Sequence, residues 1–209
     1  MKRDWDILLI GGSAGTGKTT LTRQLSQHFK IPYMEVDDIR LVMQKALNKE
    51  NNPDLFALLT KEKTYFDITP HEEIAKELVR IGTAVWPGLK TVIDNHVVFN
   101  NLPVILEGDG IIPDSVAIEK YDRMKVIFLF DEKIGIYQRE LQREKEGHIR
   151  AWEINGRDEK NLEAWRSRYS SVASFFGKIL KQQAKRHGYA VFDSSPIETL
   201  FDRAVSALK

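Results

Sequence analysis

Short apolar runs alternate with segments in which apolar residues recur every three or four positions, and this alternation continues along the chain. Near-continuous apolar runs are typical of strands that are buried on both faces, whereas the wider spacing is typical of helices with one packed face. The alternation therefore predicts an α/β fold, in which helices cover both faces of a parallel sheet. The predicted strands are Asp6–Ile10, Pro32–Val36, Val104–Glu107, Lys125–Phe130 and Tyr189–Asp193.

The first predicted strand leads into a glycine-rich segment that matches the P-loop pattern G-x-x-x-x-G-K-[ST]. Glycines let backbone N–H groups point at the α- and β-phosphates of a nucleotide, and the helix that begins near Gly17 adds the positive end of its dipole. Lys18 is expected to reach the β- and γ-phosphates, and the Thr19 hydroxyl is expected to ligate Mg²⁺. The predicted nucleoside triphosphate site comprises Gly12, Ser13, Ala14, Gly15, Thr16, Gly17, Lys18, Thr19 and Thr20.

The segment between the second and third predicted strands is longer than one crossover helix requires. Thr69 as N-cap, Pro70 at the first helical position and Glu72 predict a helix start with a capping box. Apolar residues at helical spacing follow, and Pro87 is expected to kink or interrupt that helix. We interpret residues 41–101 as a helical insertion beside the nucleotide site.

Acidic residues follow the second predicted strand, at the edge where ligands bind in open α/β sheets. Asp37 could accept a proton from a substrate hydroxyl as it attacks the γ-phosphate. Arg40 lies one helical turn later and could hold an acidic acceptor. Alternatively, Asp37 or Asp38 caps the helix that starts there, and one residue can do both.

Two more carboxylates follow the third predicted strand, where a P-loop enzyme needs one for Mg²⁺ or its waters. We favour Glu107 as the metal ligand because it directly follows the apolar run, and Asp109 between two glycines is the alternative. Asp109 also joins the predicted substrate-binding set. That set is Asp37, Asp38, Arg40 and Asp109, and the predicted metal ligands are Thr19 and Glu107.

The segment after the fourth predicted strand is rich in arginine. Arg139 and Arg143 lie one helical turn apart on the same face, and arginines can stabilise the charge on a transferring phosphoryl group. The run around them is heavily charged, so a solvated helix surface with local ion pairs is an equal alternative. The other arginines of this region are Arg150, Arg157, Arg166 and Arg168.

Two further helices complete the predicted pattern. A long helix is expected at about Asp158–His187, and Gly188 is a plausible C-cap residue. Ser195 and Glu198 predict a second capping box, which opens the final helix.

Composition narrows the classes of function. The 209 residues carry a formal net charge of +1 and no cysteine, which argues against nucleic acid as the main partner and excludes disulfides and thiolate chemistry. The longest apolar runs are too short to span a bilayer, and from the first residues we expect no signal peptide. We expect one cytoplasmic domain, a monomer or homodimer, with a small-molecule partner and neither membrane nor nucleic acid.

These elements resemble the small P-loop kinases of metabolites and nucleotides, such as adenylate, shikimate and gluconate kinases. The 2-phosphoglycerate kinase type is the most similar, with zeta toxins and chloramphenicol phosphotransferases as more distant relatives. The resemblance rests on IGGSAGTGKTT, on D-x-x-R at Asp37 to Arg40, and on VILEGDGIIPD, in which Glu107, Gly108 and Pro113 match E-G-x-x-x-x-P. The family strand end reads E-G-V-H, whereas Asp109 and Gly110 follow here, which leaves the acceptor open.

The resemblance implies a single P-loop kinase domain over residues 1–209 with a three-layer α/β/α fold and a five-stranded parallel sheet in the order 2-3-1-4-5. It implies that residues 41–101 bind the acceptor and that an arginine-bearing lid lies at about residues 131–168. ATP and Mg²⁺ would be the cofactors. By the same likeness Asp37 would be base or acceptor ligand, Arg40 would contact the acceptor, and Ser195 and Pro196 would border the adenine.

The main hypothesis is an ATP- and Mg²⁺-dependent kinase of a small, acidic or phosphorylated metabolite, with Lys18, Asp37, Arg139 and Arg143 as catalytic residues. The first alternative is a nucleoside or nucleotide kinase, whose base would stack on Tyr65, Phe66 or Trp86. A third hypothesis is an ATP-binding regulatory protein with slow hydrolysis. The sequence contains no guanine-reading N-K-x-D stretch, which favours ATP over GTP.

Overall fold

The computed structural model describes residues 3–61, 65–119, 121–147 and 159–208. Its five strands form one sheet in the order β2-β3-β1-β4-β5, and every neighbouring pair is parallel. All five predicted strands and the sheet order that the resemblance implied are confirmed. The strands are β1 (Ile7–Gly12), β2 (Tyr33–Glu35), β3 (Val104–Gly108), β4 (Met124–Phe130) and β5 (Ala190–Asp193).

Helices occupy most of the described chain between the strands. Short 3₁₀ turns lie at Pro53–Phe56 and Ile197–Thr199, and a π-helical turn lies at Asp94–Phe99. The α-helices are α1 (Lys18–Phe29), α2 (Val36–Ala46), α3 (Tyr65–Ile68), α4 (His71–Ile93), α5 (Pro113–Val116), α6 (Lys133–Lys145), α7 (Glu159–Arg186) and α8 (Leu200–Ala207). None of the helices in the described residues is long and apolar enough to cross a membrane.

Side chains along β1 alternate between two hydrophobic cores, one on each face of the sheet. Ile7 and Leu9 pack in the core that contains buried residues of α4 and α7, whereas Leu8 and Ile10 pack in the core that contains those of α1 and α8. A strand that is buried on both faces needs apolar residues at every position, which explains the continuous run. The three-layer α/β/α architecture is confirmed.

The longest helix of the insertion, α4, buries the face that the helical spacing predicted. Ile74, Ile81 and Val85 are at most 6% exposed. Pro87 does not interrupt this helix, which continues to Ile93. Trp86, next to Pro87, is buried in the core, so tertiary packing holds the helix together where proline removes a backbone donor. All regular elements described between residues 41 and 101 are helical, and the domain boundaries stay a prediction.

The capping box predicted at the start of α4 is wrong. The helix begins at His71, one residue later than predicted, and no side chain caps it. The Pro70 carbonyl accepts the first helical hydrogen bonds. The Thr69 carbonyl instead accepts a hydrogen bond from Arg168. Thr69, which the local sequence pattern assigned to the N-cap, therefore contacts a residue that is distant in sequence.

The capping box predicted for the final helix is also wrong. Ser195 is followed by a cis peptide bond to Pro196, and no side chain caps the 3₁₀ turn that begins at Ile197. The Ser195 hydroxyl donates to Asp131 Oδ2 at 3.0 Å instead. Gly188 has a φ of 73° just after α7 and acts as the predicted C-cap glycine.

Truncation of a side chain in the centre of β3 is expected to destabilise the fold. Leu106 is fully buried, so Leu106→Ala should lower the free energy of unfolding by about 3 kcal/mol through lost burial and the cavity that remains. Chemical denaturation measures this change. Leu59→Ala is the matched control, because Leu59 is 67% exposed. Equal losses for the two variants would contradict this account of the core.

Candidate functional site

The P-loop has a backbone that requires glycine at three positions. Gly12, Gly15 and Gly17 have φ values of 140°, 73° and 84°, a region that side chains disfavour. A Cβ atom at Gly12 would also lie 2.4 Å from the carbonyl oxygen of Leu129 in β4. Glycine therefore allows both the turn and its close approach to the sheet, and the resulting loop has the local shape of an anion-binding nest.

The P-loop lysine lies across its own loop at the start of α1. Lys18 is 9% exposed, and its Nζ donates to the Ser13 carbonyl oxygen at 2.9 Å. The Thr16 hydroxyl donates to the same carbonyl at 2.8 Å. A buried ammonium beside the first N–H groups of a helix suits anionic oxygens such as those of phosphate.

Ser13 and Thr20, two of the predicted nucleotide ligands, differ in the exposure of their side chains. The Ser13 hydroxyl is fully buried without a hydrogen-bond partner among the described residues, and a Cβ atom at Gly177 of α7 would lie 3.0 Å from it. Ser13 can therefore offer its backbone N–H to a nucleotide, while its side chain packs towards α7. Thr20 is exposed on α1.

The two side chains that the sequence predicted as metal ligands are in direct contact. The Thr19 hydroxyl donates to Glu107 Oε1 at 2.6 Å. Glu107 is level with Ile10 of β1 and Glu35 of β2, so the end of β3 lies beside the P-loop. Both side chains offer the hard oxygen atoms that Mg²⁺ prefers, so the pair fits that ion.

Burial raises the pKa of the Glu107 carboxyl above its ordinary value. The Lys18 ammonium and the hydrogen bond from Thr19 act in the opposite direction, because both stabilise the charged form. Asp37 and Glu35 lie near enough to raise this pKa further. Groups of both charges thus act on the Glu107 carboxyl, which lies between the P-loop and the start of α2, where Asp37 lies.

A small cleft lies between α2, α4 and the loop after β3, which follows Glu107. Arg40 Nη2 lies 3.0 Å from Asp37 Oδ1, so the predicted D-x-x-R pair forms an ion pair there. Asp109 lies in the same cleft, whereas Glu107 contacts Thr19. The cleft is lined by Val36, Asp37, Arg40, Leu78, Ile81, Gly82, Val85, Asp109 and Gly110.

Capping of α2 by Asp37 or Asp38 was the alternative to a role in the site, and it is wrong. The helix begins at Val36 with Glu35 in the capping position, and no side chain caps it. Asp37 and Asp38 instead lie in the first turn, where negative charge complements the helix dipole. Asp38 is exposed and does not line the cleft, so its predicted substrate contact rests on sequence alone.

The two predicted lid arginines have different surroundings on α6. Arg139 donates through Nε to the Gly15 carbonyl of the P-loop and through Nη2 to Asp131 Oδ2. Arg143 donates through Nη1 to Glu140 Oε1 at 3.0 Å, an ion pair within its own helix. Both arginines thus make ion pairs within the described residues, and their contact with a phosphoryl group stays a prediction. Arg150 and Arg157 lie outside the described residues.

The loop after β5 is hydrogen-bonded to the P-loop and to β4. Ser194 donates through Oγ to the Thr16 carbonyl and through its backbone N–H to the Phe130 carbonyl, each at 2.7 Å. Arg203 of α8 donates to the carbonyls of Asp193 and Pro196. The segment that the resemblance assigned to the adenine edge is therefore held against the nucleotide loop.

Comparison with known proteins shows that this chain is similar in sequence to kinases. The chain is 25% identical to the 2-phosphoglycerate kinase of Methanocaldococcus jannaschii over 204 residues, which cover 97% of this chain and 62% of that protein. It is 33% identical to the 2-phosphoglycerate kinase of Methanococcus maripaludis strain C6 over 137 residues, which cover 62% of this chain and 43% of that one. The chain thus spans less than two thirds of these relatives. No protein-family model matches it.

Solved structures agree in fold at low sequence identity. A gluconokinase from Sinorhizobium meliloti 1021 superposes with a TM-score of 0.57 and 13% identity, over 99% of this chain and 93% of the other. A deoxyadenosine kinase from M. mycoides superposes with a TM-score of 0.51 and 12% identity, over 97% and 98% of the two chains. The chain shares the fold of these two kinases. The resemblance identified from the P-loop, D-x-x-R and E-G motifs is confirmed.

One residue that contacts predicted site residues was not predicted from the sequence. Asp131 follows β4 directly, is 8% exposed, and accepts hydrogen bonds from Arg139 and from Ser195. The signal that could have found it is the one that pointed to Glu107, a carboxylate at the end of an apolar strand. A charged, arginine-rich segment follows Asp131 in the sequence, and the prediction for this region was based on those arginines.

Proposed function

We propose that this chain is an ATP- and Mg²⁺-dependent kinase that transfers a phosphoryl group to a small, acidic or phosphorylated metabolite. The observation that carries the proposal is the Thr19–Glu107 contact, next to a cleft that contains Asp37 and Arg40. A P-loop and a small cleft thus lie at the carboxyl ends of the strands, where ligands bind in α/β folds. Similarity to 2-phosphoglycerate kinases supports the same class of reaction.

The proposal assigns roles to both ends of the site. ATP bound with Mg²⁺ supplies the γ-phosphoryl group. Lys18 and the P-loop N–H groups hold the phosphates, while Thr19 and Glu107 hold the metal or its waters. Arg139 and Arg143 neutralise charge on the phosphoryl group, and Ser195 and Pro196 border the adenine. The oligomeric state and a cytoplasmic location stay predictions.

The ion pair between Asp37 and Arg40 can serve the acceptor in two ways. The ion pair fixes the position of the Asp37 carboxylate, which would accept a proton from the acceptor hydroxyl. A guanidinium carries five N–H donors, so Arg40 can hold Asp37 and an anionic group of the acceptor together. This arrangement favours an acidic or phosphorylated acceptor, and Asp109 faces the same cleft.

The alternative of a nucleoside or nucleotide acceptor has weaker support. Trp86 is 6% exposed and packs in the hydrophobic core, so its ring face cannot receive a base. Tyr65 and Phe66 are half-buried on α3 and remain the aromatic residues for such a role. The regulatory hypothesis predicts nucleotide binding without an acceptor that stimulates turnover.

The experiment that tests the proposal measures ADP formation from ATP across a panel of acceptors. The panel contains 2-phosphoglycerate, 3-phosphoglycerate, gluconate, nucleosides and nucleoside monophosphates, with reactions lacking acceptor or Mg²⁺ as controls. Stimulation by an acid or a phosphorylated acid, dependent on Mg²⁺, is the expected result. Stimulation by nucleosides alone would favour the alternative acceptor. Bound ATP with no stimulation by any acceptor would favour the regulatory hypothesis.

Replacement of the buried carboxylate is expected to raise the Mg²⁺ requirement. Glu107→Gln keeps a partner for the Thr19 hydroxyl but loses the charge, so the Mg²⁺ concentration for half-maximal ADP formation should rise about 10- to 100-fold. A Mg²⁺ titration at saturating ATP measures this. Glu77→Gln is the control, because Glu77 pairs with Arg80 away from the site. An unchanged requirement in Glu107→Gln would redirect the metal role to Asp109.

A further inference from the structure

One carboxylate connects three parts of the site that lie far apart in sequence. Asp131 stands at the carboxyl end of β4, and its Oδ1 accepts the Glu132 backbone N–H at 2.7 Å. Its Oδ2 accepts from Arg139 Nη2 and, at 3.0 Å, from Ser195 Oγ. The same oxygen therefore serves an arginine of α6 and a serine of the loop after β5.

The local backbone leaves space for this carboxylate. A Cβ atom at Gly135, in the first turn of α6, would lie 2.5 Å from Asp131 Oδ1 and 2.6 Å from Oδ2. Any larger residue at position 135 would displace the carboxylate. The residue is also only 8% exposed, and burial strengthens hydrogen bonds to a charged group. Asp131 is thus held on a rigid strand end with little room to move.

Arg139 connects Asp131 to the P-loop. Its Nε donates to the carbonyl of Gly15, and α6 packs so closely there that a Cβ atom at Gly15 would lie 2.8 Å from Ile136 Cγ2. The next P-loop carbonyl, that of Thr16, accepts from Ser194. The segments after β4 and β5 therefore hold adjacent carbonyls of the nucleotide loop.

We propose that Asp131 is a positioning residue that holds Arg139 at the P-loop and, through the same oxygen, links this arginine to Ser195 in the loop after β5. The inference rests on the proposed function, since it assumes that the P-loop binds MgATP. A carboxylate is required because Oδ2 accepts from two donors while Oδ1 accepts a third. An asparagine amide would present N–H groups to one set of these donors and would repel them.

The test is a double-mutant cycle on nucleotide affinity. Isothermal titration calorimetry measures binding of the Mg²⁺ complex of a non-hydrolysable ATP analogue to Asp131→Asn, Arg139→Ala and the double variant. Each single substitution should weaken binding about 10-fold, the effect of losing one hydrogen bond to a charged group. The double variant should bind no more weakly than Arg139→Ala, because Asp131 acts through Arg139. Independent losses, which multiply to about 100-fold, would overturn the inference.

Two controls separate positioning from loss of fold. Asp114→Asn makes the same change at an exposed aspartate that pairs with Arg186 away from the site, and it should bind as the unmodified protein does. Ser195→Ala removes one hydroxyl only and should weaken binding in the unmodified background but not in the Asp131→Asn background. Weaker binding by Ser195→Ala to the same degree in both backgrounds would overturn the link through Asp131.

The inference and the proposed function can fail separately. If no acceptor stimulates ADP formation while the cycle gives the expected coupling, the kinase proposal fails and the positioning role stands. If an acceptor is phosphorylated but the losses at Asp131 and Arg139 are independent, only the positioning role fails. An unmodified protein that does not bind the nucleotide analogue would overturn both.

Discussion

Lys18→Ala is expected to reduce the rate of phosphoryl transfer by about 100- to 1000-fold, the range seen when one preorganised donor to developing charge is removed. The ammonium is buried at the start of α1 and lies across the loop that would surround the phosphates. In transfer, negative charge spreads over the γ-phosphate oxygens, and no other described P-loop side chain can supply a positive charge there. Steady-state ADP formation at saturating acceptor measures the loss.

Lys125→Ala is the matched control for this substitution. Lys125 pairs with Asp4 near the start of β4. The P-loop lies at the opposite ends of the parallel strands, so loss of Lys125 should leave the rate unchanged. Thermal unfolding of both variants verifies that the fold is retained. A folded Lys18→Ala variant with the full transfer rate would refute the assignment of this loop to the reacting nucleotide.

Asp37→Asn is expected to reduce transfer by about 100- to 10,000-fold, the contribution of a positioned general base. The substitution keeps the shape of the side chain but removes the site that would accept the hydroxyl proton. Affinity for MgATP should stay nearly unchanged, because Asp37 lies in the cleft beside the nucleotide loop rather than in it. Transfer assays and calorimetric titration with nucleotide measure the two effects separately.

Asp54→Asn is the matched control for Asp37→Asn. Asp54 belongs to the helical insertion that follows α2 and pairs with Arg80, but it does not line the cleft. The two variants therefore share the change in charge and differ in location. Loss of nucleotide binding in Asp37→Asn would mark Asp37 as a structural or metal-site residue. Equal loss of transfer in both variants would show that transfer responds to the loss of any negative charge in this region.

The two carboxylates at neighbouring strand ends suit different tasks because their surroundings differ. Glu107 is 3% exposed, and burial raises its pKa, so a cation is favourable beside it. The Asp37 side chain is 37% exposed and paired with Arg40, so it is accessible to a substrate. This contrast supports Glu107 at the metal and Asp37 at the acceptor.

Local patterns predicted the sheet well and the helix caps poorly. The apolar run of β1 needs a core on each face, which leaves a buried parallel strand as the stable solution. A cap contributes only about 1 kcal/mol, so one tertiary contact can outweigh it. Arg168 donates to the Thr69 carbonyl and the Ser195 hydroxyl donates to Asp131, and neither predicted capping box forms.

The sequence by itself determined the strands, the P-loop and the carboxylates at two strand ends, because each depends on residues that are neighbours along the chain. Only the tertiary structure decided that Glu107 rather than Asp109 contacts Thr19, and that Arg139 rather than Arg143 contacts the P-loop. Only it revealed Asp131 as the acceptor that connects α6 with the loop after β5. These contacts depend on how strand ends and helices pack in three dimensions. The residues involved are far apart in sequence, so no local pattern predicts that they are in contact.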